Sequence, residues 1–418
     1  MDAILLSWVP LSFLIASAAL VLSFGRLADM FGRKRLYLIG TASLIGTSIL
    51  ATTAATGWEL IAYRLSQGVA AAMIYGTHIA IVSSVYPPQE RGRIIGITVA
   101  VIYIGLTGGP LVGGWLVGLF GWQAAFLVHV PMCACALVVG LVMVKAEWRA
   151  VNPGRFDFVG AVLYTTAIVA LMVGISLLPQ LRSLIGIAIG TAGFWLFFHH
   201  QHQRDEPLFD VSLFYANRVF TMSCLASVIM YTATFANIVL VSLYLQYLRG
   251  MTPAYAGFVL MAQPFVMACV SPYAGKLSDR VEPRVISSIG MGLTSLGLLL
   301  LASIGDATYI GLIVIYLAVT GLGFSLFSSP NANAIMGAVG THHYGIAASS
   351  VATMRVIGQV SSMGIVAMVF AVVLGPVQIT PAVYPQLQTA LTLSLGMASV
   401  LCLPGIYLSL VRGRMRAT

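Results

Sequence analysis

The sequence predicts an all-α polytopic membrane protein, and three of its features lead to that class. Charged residues make up 8% of the 418 residues and apolar residues 59%, whereas an ordinary soluble domain is about 25% charged. The apolar runs are continuous and about 17 to 30 residues long, which matches the length of helix that crosses a bilayer. Spanning β-barrels use short alternating strands, so the runs are interpreted as helices.

The chain contains thirteen such runs, and several of the connections between them are short. The connections at 56–59 (TGWE) and 120–123 (FGWQ) leave no room for a crossover, so the helices on either side are predicted to be antiparallel neighbours. The predicted spans are 4–24, 36–56, 59–85, 93–119, 122–144, 157–178, 182–198, 217–246, 253–275, 285–304, 308–330, 345–375 and 384–411.

The basic residues are divided unequally between the two sets of alternate connections. One set, with the C-terminal tail, holds 17 of the 21 Lys and Arg, and the other holds only Arg182 and Arg249. The positive-inside rule places the basic set in the cytoplasm. We therefore predict a multi-pass protein of the plasma (cytoplasmic) membrane with a cytoplasmic C-terminus. Its net charge of +9 then serves topology and contact with membrane lipid, and no nucleic-acid binding is expected.

A pattern near the N-terminus returns 250 residues later. GRLADMFGRKRLYLIG from Gly25 and GKLSDRVEPRVISSIG from Gly275 share Gly, Leu, Asp, Ile and Gly at equal positions. Parallel duplication of a helical bundle is a recurrent architecture of secondary transporters. The second copy follows two helices of its half and the first copy only one, so the first bundle is expected to lack its leading helix. Topology leads to the same expectation, because it otherwise places Met1 outside without a signal peptide.

The repeated segment is predicted to form a gate between the bundles on the cytoplasmic side. Gly25 permits a tight turn and close helix approach. Asp29 can pair with a nearby Arg or accept a hydrogen bond from a helix N-terminus, and the bases that follow favour an anionic leaflet. Pairs that form and break would latch one of two rocking states, and a purely topogenic turn is the alternative. The predicted gate residues are Gly25, Asp29, Gly32, Arg33, Lys34, Gly275, Asp279 and Arg280.

Three motifs together resemble the major facilitator superfamily. GRLADMFGRKR looks like the family's signature loop between its second and third helices, although Met30 stands where the family usually has a base. RLSQG from Arg64 resembles the RxxQG element of the fourth helix, and GLTGGPLVGG from Gly105 is similar to the fifth-helix element of antiporting exporters. The two additional spans between the bundles resemble those of the fourteen-helix drug:proton antiporters of the EmrB/QacA type.

The resemblance implies the major facilitator fold, with two pseudo-symmetric six-helix bundles and two extra linking helices. The predicted units are an N-terminal bundle at 1–150, a linking pair and cytoplasmic linker at 151–215, and a C-terminal bundle at 216–418. The resemblance also implies proton-coupled efflux of drugs or other amphipathic small molecules by alternating access. The chain starts where the family's second helix starts, so the Asp that the family usually carries in its first helix has no counterpart here.

Polar groups within the spans are the candidates for a substrate and proton pathway, because burying them in a membrane is costly. None of the twelve carboxylates is expected at mid-bilayer. The resemblance places Arg64 towards the central cavity, and His78 shares its helix face. The alternatives are a snorkelling Arg, a hydrogen-bonded structural His and, for Glu59, a charge at a helix N-terminus in place of a proton acceptor. The predicted pathway residues are Arg64, Gln67, His78, Glu59, Asn237 and Gln263.

The fifth-helix motif is predicted to form a packing hinge. Glycines four residues apart remove side chains from one helix face, so another helix can approach closely, and a proline removes one backbone donor and kinks the helix. Simple helix packing is the alternative. The predicted hinge residues are Gly105, Gly109, Pro110, Gly113 and Gly114.

The sequence contains no GxSxG, HExxH or P-loop motif, so we expect no enzyme activity, no catalytic or metal site, no cofactor and no use of ATP. The predicted partners are a small-molecule substrate and protons, with an ion gradient as the energy source. Two alternatives stay open. The protein could be a metabolite exporter or symporter of the same fold, or a truncated, non-transporting membrane sensor or assembly subunit.

Overall fold

The computed structural model describes residues 3–149, 154–177, 180–204, 207–208, 214–215, 217–305, 307–340, 344–375 and 380–413. Within these ranges the chain is almost entirely helical and contains no strand. The helices are α1 (Ala3–Phe31), α2 (Arg33–Ala51), α3 (Gly57–Val85), α4 (Pro88–Phe120), α5 (Ala124–Leu127), α6 (His129–Val142), α7 (Phe158–Ser176), α8 (Leu181–His202), α9 (Arg218–Thr234), α10 (Asn237–Leu243), α11 (Pro253–Leu260), α12 (Ala262–Ser278), α13 (Pro283–Ala302), α14 (Ile310–Gly337), α15 (Tyr344–Val373) and α16 (Tyr384–Val411).

The predicted all-α polytopic class is confirmed. Eleven helical stretches among the described residues are long and apolar enough to cross a membrane. Some spans contain a break: α5 is followed at once by α6, α11 by α12, and α10 continues into a π-helical turn at Tyr244–Leu248. Such breaks leave backbone groups that must find partners within the protein, because lipid offers none.

The connection between the first two spans is much shorter than predicted. α1 continues to Phe31 and α2 begins at Arg33, so only Gly32 lies between them. Gly32 has a φ of +118°, a conformation that is costly for any residue with a Cβ atom. Gly25 lies inside α1. The tight turn predicted at Gly25 is therefore wrong, and Gly32 makes that turn.

The helices form two bundles that meet along a seam. In the first bundle α3 packs against α1 and α2, and α6 packs against α2. In the second, α14 packs against α12 and α13, and α16 packs against α9 and α13, while α9 also packs against α15. The seam is formed mainly by α4 against α12, with α15 against α1 and α3.

The hairpin of α7 and α8 lies against both bundles. The Tyr164 hydroxyl of α7 donates to the carbonyl of Ala18 in α1 (3.0 Å) and lies 3.2 Å from the Thr353 hydroxyl of α15. The base of the hairpin is joined by Asp157, which caps α7 through the amide of Gly160 (2.9 Å) and accepts from the Gln201 side chain of α8 (2.7 Å). The two additional helices are thus fixed to the seam.

Candidate functional site

The first copy of the repeated motif forms a buried ion pair at one end of the seam, called here the basic end. Asp29 and Arg33 lie on either side of the turn at Gly32, four residues apart, and their side chains approach to 2.7 Å. Asp29 is 0% exposed and Arg33 is 4% exposed. A second guanidinium nitrogen of Arg33 donates to the Ser84 hydroxyl of α3 at 2.7 Å. Arg33 therefore points into the protein, which corrects the expectation that it faces the lipid headgroups.

Tyr344 joins the two bundles at the basic end. It is the first residue of α15, and its side chain is buried. The guanidinium of Arg33 lies 5.6 Å from the centre of the Tyr344 ring, and that of Arg91 lies 5.0 Å from it. Both distances are within the range of cation–π attraction. One aromatic ring of the second bundle is thus held by two cations of the first.

The second copy of the motif closes the other side of the basic end. Asp279 accepts hydrogen bonds from the backbone amides of Gly92 and Arg93, both at 2.9 Å. These amides lie in the second turn of α4, close to the helix N-terminus, where the helix dipole attracts negative charge. Asn333 of α14 lies 3.5 Å from the same carboxylate. Asp279 of the second bundle therefore caps a helix of the first.

Glycines allow the close approach on which this cap depends. A Cβ atom at Gly275 of α12 would overlap the carbonyl oxygen of Gly92, and one at Gly96 would lie 2.5 Å from the carbonyl oxygen of Ser271. Distances this short are excluded by van der Waals repulsion, so only glycine permits α4 and α12 to touch. Gly275 acts in helix contact and not in a turn, since it lies inside α12.

Other predicted gate residues contribute within the first bundle or stay exposed. The backbone amides of Lys34 and Arg35 donate to the two carboxylate oxygens of Glu147, at 2.9 and 3.1 Å, so Glu147 caps α2. Gly32 sits against the same carboxylate. Arg280 is exposed, and no hydrogen bond or ion pair of its side chain is found among the described residues.

Arg64 is held inside the first bundle by a chain of hydrogen bonds. Its Nε donates to the carbonyl of Val9 (3.1 Å), and its Nη1 donates to Gln67 (2.9 Å). Gln67 is buried and donates in turn to the Ser48 hydroxyl of α2 (3.0 Å). The guanidinium also lies 4.5 Å from the Phe13 ring centre. The structure brings Arg64 and Gln67 together, as their spacing predicts, and ties them to α1 and α2.

His78 lies at the seam, well away from Arg64. Fourteen residues of α3 separate the two, or about 21 Å at 1.5 Å per residue. The Nδ1 of His78 donates to the carbonyl of Ile74 (3.1 Å), and its ring meets the Tyr75 ring edge-on with centroids 6.4 Å apart. The Arg355 guanidinium of α15 lies 4.9 Å from the centre of that Tyr75 ring. A cation of the second bundle is thus stacked on an aromatic ring of the first.

An aromatic cluster crosses the seam at mid-height. Tyr103 of α4 meets Phe324 of α14 edge-on with ring centroids 6.0 Å apart, and Tyr231 of α9 meets Phe324 in the same way at 5.4 Å. The Tyr103 hydroxyl is hydrogen-bonded to Ser328, and Arg355 is close enough to interact with Tyr103 electrostatically. Edge-to-face pairs of this kind are favourable contacts.

Asn237 and Gln263 lie inside the second bundle. Both are buried, and the side-chain amide of Asn237 donates to Gln263 at 3.2 Å. Asn237 also lines a small cleft with Thr232, Ser362 and Ser394. The pair joins α10 to α12, so its position favours a structural contact over a position on the seam.

Glu59 is placed at a helix start. Its carboxylate accepts from the amide of Ala55 (2.8 Å), and its own amide donates to the Thr56 hydroxyl (3.2 Å). This reciprocal pattern resembles the capping box, which satisfies the free donors of a helix N-terminus. The exposed Glu59 side chain therefore fits the alternative interpretation, a charge at a helix N-terminus.

The fifth-helix motif lies in α4, and only part of it is described. A Cβ atom at Gly105 or Gly109 would meet nothing within 4 Å, so no described helix packs on them in this structure. The side-chain surroundings of Pro110, Gly113 and Gly114 lie outside the described residues, and their part in a hinge stays a prediction.

Several residues of the seam were not found by sequence reasoning. Gly92, Gly96, Asn333 and Tyr344 all take part in the closed basic end. Only Gly92 and Gly96 had a visible signal, since they repeat at four-residue spacing next to the bases of ERGRIIG. Asn333 and Tyr344 act through contacts with helices far away in the chain.

Comparison with known proteins agrees with this architecture. The profile of the Major Facilitator Superfamily matches residues 1–363. The chain belongs to the major facilitator superfamily. It is a multi-pass membrane protein of this transporter family, and its two seam-forming bundles are the fold that the resemblance implied.

Relatives within the superfamily include exporters and a vitamin transporter. The chain is 29% identical over 350 residues to the riboflavin transporter RibZ of Clostridioides difficile, covering 84% of this chain and 76% of RibZ. It is 30% identical over 372 residues to the multidrug resistance protein Stp of Mycobacterium tuberculosis, covering 88% and 69%. The structure of the human organic anion transporter MFSD10 matches with a TM-score of 0.70 at 13% identity, covering 96% and 83%, and this likeness concerns the fold alone.

Proposed function

We propose that this superfamily member is a secondary active transporter that exports drugs or other amphipathic small molecules by alternating access, coupled to protons. One observation carries the proposal: the seam is closed at the basic end by groups from both bundles. Asp279 caps α4 across the seam, and Arg33 and Arg91 hold Tyr344. Polar contacts that can form and break at one end of a seam are what rocking bundles require.

The basic end is proposed to face the cytoplasm. Most Lys and Arg of the described residues lie in the connections at that end, and the positive-inside rule applies to such connections. The hydrogen bonds and cation–π contacts found between the bundles lie at the basic end or at mid-height. The conformation described here is therefore assigned as closed to the cytoplasm, and export requires a second conformation in which these contacts separate.

Proton coupling is assigned to polar groups of α3. Arg64 and Gln67 form a buried chain to Ser48, and His78 lies at the seam beside Tyr75 and Arg355. An imidazole is the side chain that titrates near neutral pH in water. His78 is therefore proposed as the group that exchanges protons as the seam opens, with Arg64 and Gln67 as the supporting polar pathway.

Reconstitution tests transport and coupling together. The purified chain would be placed in liposomes with an imposed pH gradient, and flux of two xanthene dyes, anionic fluorescein and cationic rhodamine 123, would be followed with empty liposomes as the control. We expect flux of at least one dye that depends on the gradient and collapses when a protonophore is added. Flux that a protonophore leaves unchanged would show that coupling is not to protons.

A second candidate is an exporter or symporter of one specific metabolite. The similarity to a protein named as a riboflavin transporter favours it. The two candidates differ in selectivity, because a drug exporter is inhibited by many unrelated compounds and a metabolite transporter by close analogues of one. A non-transporting sensor or assembly subunit would give no flux of any dye in the same liposomes.

A further inference from the structure

Arg355 can be compared with four other arginines that lie within the described helices or at their ends. Arg33, Arg64, Arg249 and Arg412 all donate hydrogen bonds to side-chain or carbonyl oxygens. For the guanidinium of Arg355, no hydrogen bond or ion pair is found among the described residues, and its contact there is with the face of the Tyr75 ring. Its donors are therefore available to a ligand.

The position of Arg355 is costly for a cation. It lies in the fourth turn of α15, inside the stretch Ser350–Val373 that is apolar enough to span a membrane. A guanidinium in such a place is normally paired with an acid or with carbonyl groups. Stacking on an aromatic ring compensates for only part of its lost hydration. An anion that accepts hydrogen bonds from the guanidinium would compensate for the rest of the lost hydration.

The surroundings of Arg355 fit an aromatic molecule. Tyr75 of α3 stacks on the Arg355 guanidinium and meets the His78 ring edge-on. Tyr103 of α4 meets Phe324 of α14, which also meets Tyr231 of α9, so both bundles contribute rings to this part of the seam. Arg355 interacts electrostatically with His78 and Tyr103. Binding sites for small molecules commonly combine aromatic walls with one or two placed polar groups.

The charges near the seam select for anions. The described carboxylates lie at helix ends or in connections, and Asp29 is paired with Arg33. None of them is found in contact with the rings around Arg355. A guanidinium matches the geometry of a carboxylate, sulfonate or phosphate and binds it through two parallel hydrogen bonds. A cationic ligand in the same place would meet repulsion.

We propose that Arg355 and the rings around it form the substrate site, and that this site takes aromatic organic anions. The proposal rests on the transport function proposed above and names its substrate class. The anionic group lies against Arg355 and the aromatic body lies among Tyr75, Tyr103 and Phe324. Because the site is built from both bundles, its affinity for the ligand depends on the distance between them.

Equilibrium binding to the purified chain in lipid nanodiscs tests the proposal directly, since it requires no transport. Fluorescein carries a carboxylate and rhodamine 123 a positive charge on similar ring systems, and fluorescence anisotropy reports binding of each after subtraction of empty nanodiscs. We expect fluorescein to bind more tightly than rhodamine 123. Arg355→Gln should weaken fluorescein binding by about tenfold or more, as expected for the loss of charge-assisted hydrogen bonds. Arg355→Lys, which keeps the charge, should bind fluorescein with an affinity between that of the wild type and that of Arg355→Gln.

Arg182→Gln serves as the matched control, because Arg182 is an exposed arginine at the start of α8. It should bind fluorescein like the wild type. Tighter binding of rhodamine 123, absence of fluorescein binding, or wild-type fluorescein binding in a well-folded Arg355→Gln protein would each overturn the proposal. Fluorescein binding that depends on Arg355 without any dye flux would uphold the site and count against the transport function. Dye flux that is unchanged in Arg355→Gln would support the transport function and count against this site.

Discussion

At the scale of single residues, the chain accommodates its few buried charges by giving each one oxygen atoms or rings as partners. Arg412 is 1% exposed, and one of its guanidinium nitrogens donates to Asn331 (2.7 Å) and Ser223 (3.1 Å). Burial lowers the pKa of the Arg412 guanidinium to about 10, helped by the nearby Arg284 and opposed by Glu282. Arg412 therefore stays charged at neutral pH and joins the end of α16 to α9 and α14.

Gly32→Ala is expected to destabilise the protein by about 1 to 3 kcal/mol, the usual range for a non-glycine residue in a strained backbone region. Gly32 has a φ of +118°, and a new Cβ atom would lie 2.6 Å from the carboxylate carbon of Glu147. Gly46→Ala is the control, since Gly46 is helical and its Cβ would meet nothing within 4 Å. Unfolding in detergent measures both. Equal stability of the two variants would show that the turn at Gly32 tolerates a side chain.

Asp279→Asn is expected to weaken closure of the basic end by about 1 kcal/mol, the typical worth of a charged cap at a helix N-terminus. The neutral amide keeps one acceptor for Gly92, but its NH2 group faces the donor of the other capped amide. Spin labels at the exposed positions Glu90 and Lys276, in a cysteine-free background, would report the separation of α4 and α12. The distribution should shift towards longer distances in Asp279→Asn and not in Glu59→Gln, a change at another helix start. An unchanged distribution would exclude Asp279 as a latch.

At the scale of elements, the α7–α8 hairpin contacts both bundles at the seam. Tyr164 contacts Ala18 of α1 and Thr353 of α15, and Thr165 donates to the carbonyl of Ala19 at 3.0 Å. Burial by itself would raise the pKa of Asp157 at the hairpin base, but hydrogen bonds from Gly160, His200 and Gln201 outweigh it and hold that pKa below its ordinary value. The hairpin base is therefore held together by a carboxylate that stays ionised at neutral pH.

Tyr164→Phe removes the hydroxyl that bridges α1 and α15 and leaves the ring in place. We expect a loss of about 1 kcal/mol in stability, as for one ordinary buried hydrogen bond, and a measurably lower melting temperature. Tyr273→Phe is the matched control, because the Tyr273 ring is exposed on α12. If both variants melt at the wild-type temperature, the hydroxyl does not hold the hairpin to the seam.

At the scale of the whole molecule, the spans and the repeat could be predicted from the sequence, and most of the seam could not. The spans were predictable because lipid demands long continuous apolar helices, and the 250-residue offset led to both Asp29 and Asp279. Tyr344 and Asn333 were missed because they act on helices distant in the chain. The turn was placed at Gly25 because a φ angle cannot be read from glycine spacing, and only the structure shows it at Gly32.

The proposed alternating access makes Gly275 a critical position, because α4 and α12 touch there when the basic end is closed. In the closed basic end, even a methyl group there would overlap the carbonyl oxygen of Gly92, so Gly275→Ala should keep α4 and α12 apart. Transport by alternating access needs both conformations, so we expect dye flux to fall by about tenfold, the effect of a penalty near 1.4 kcal/mol on one conformation. Gly257→Ala is the control, because Gly257 lies in the preceding helix α11 and its Cβ would meet nothing within 4 Å. The spin-label pair at Glu90 and Lys276 should report a longer distance only in Gly275→Ala. Wild-type flux with a wild-type distance in that variant would mean that the contact of α4 with α12 is not part of the transport cycle.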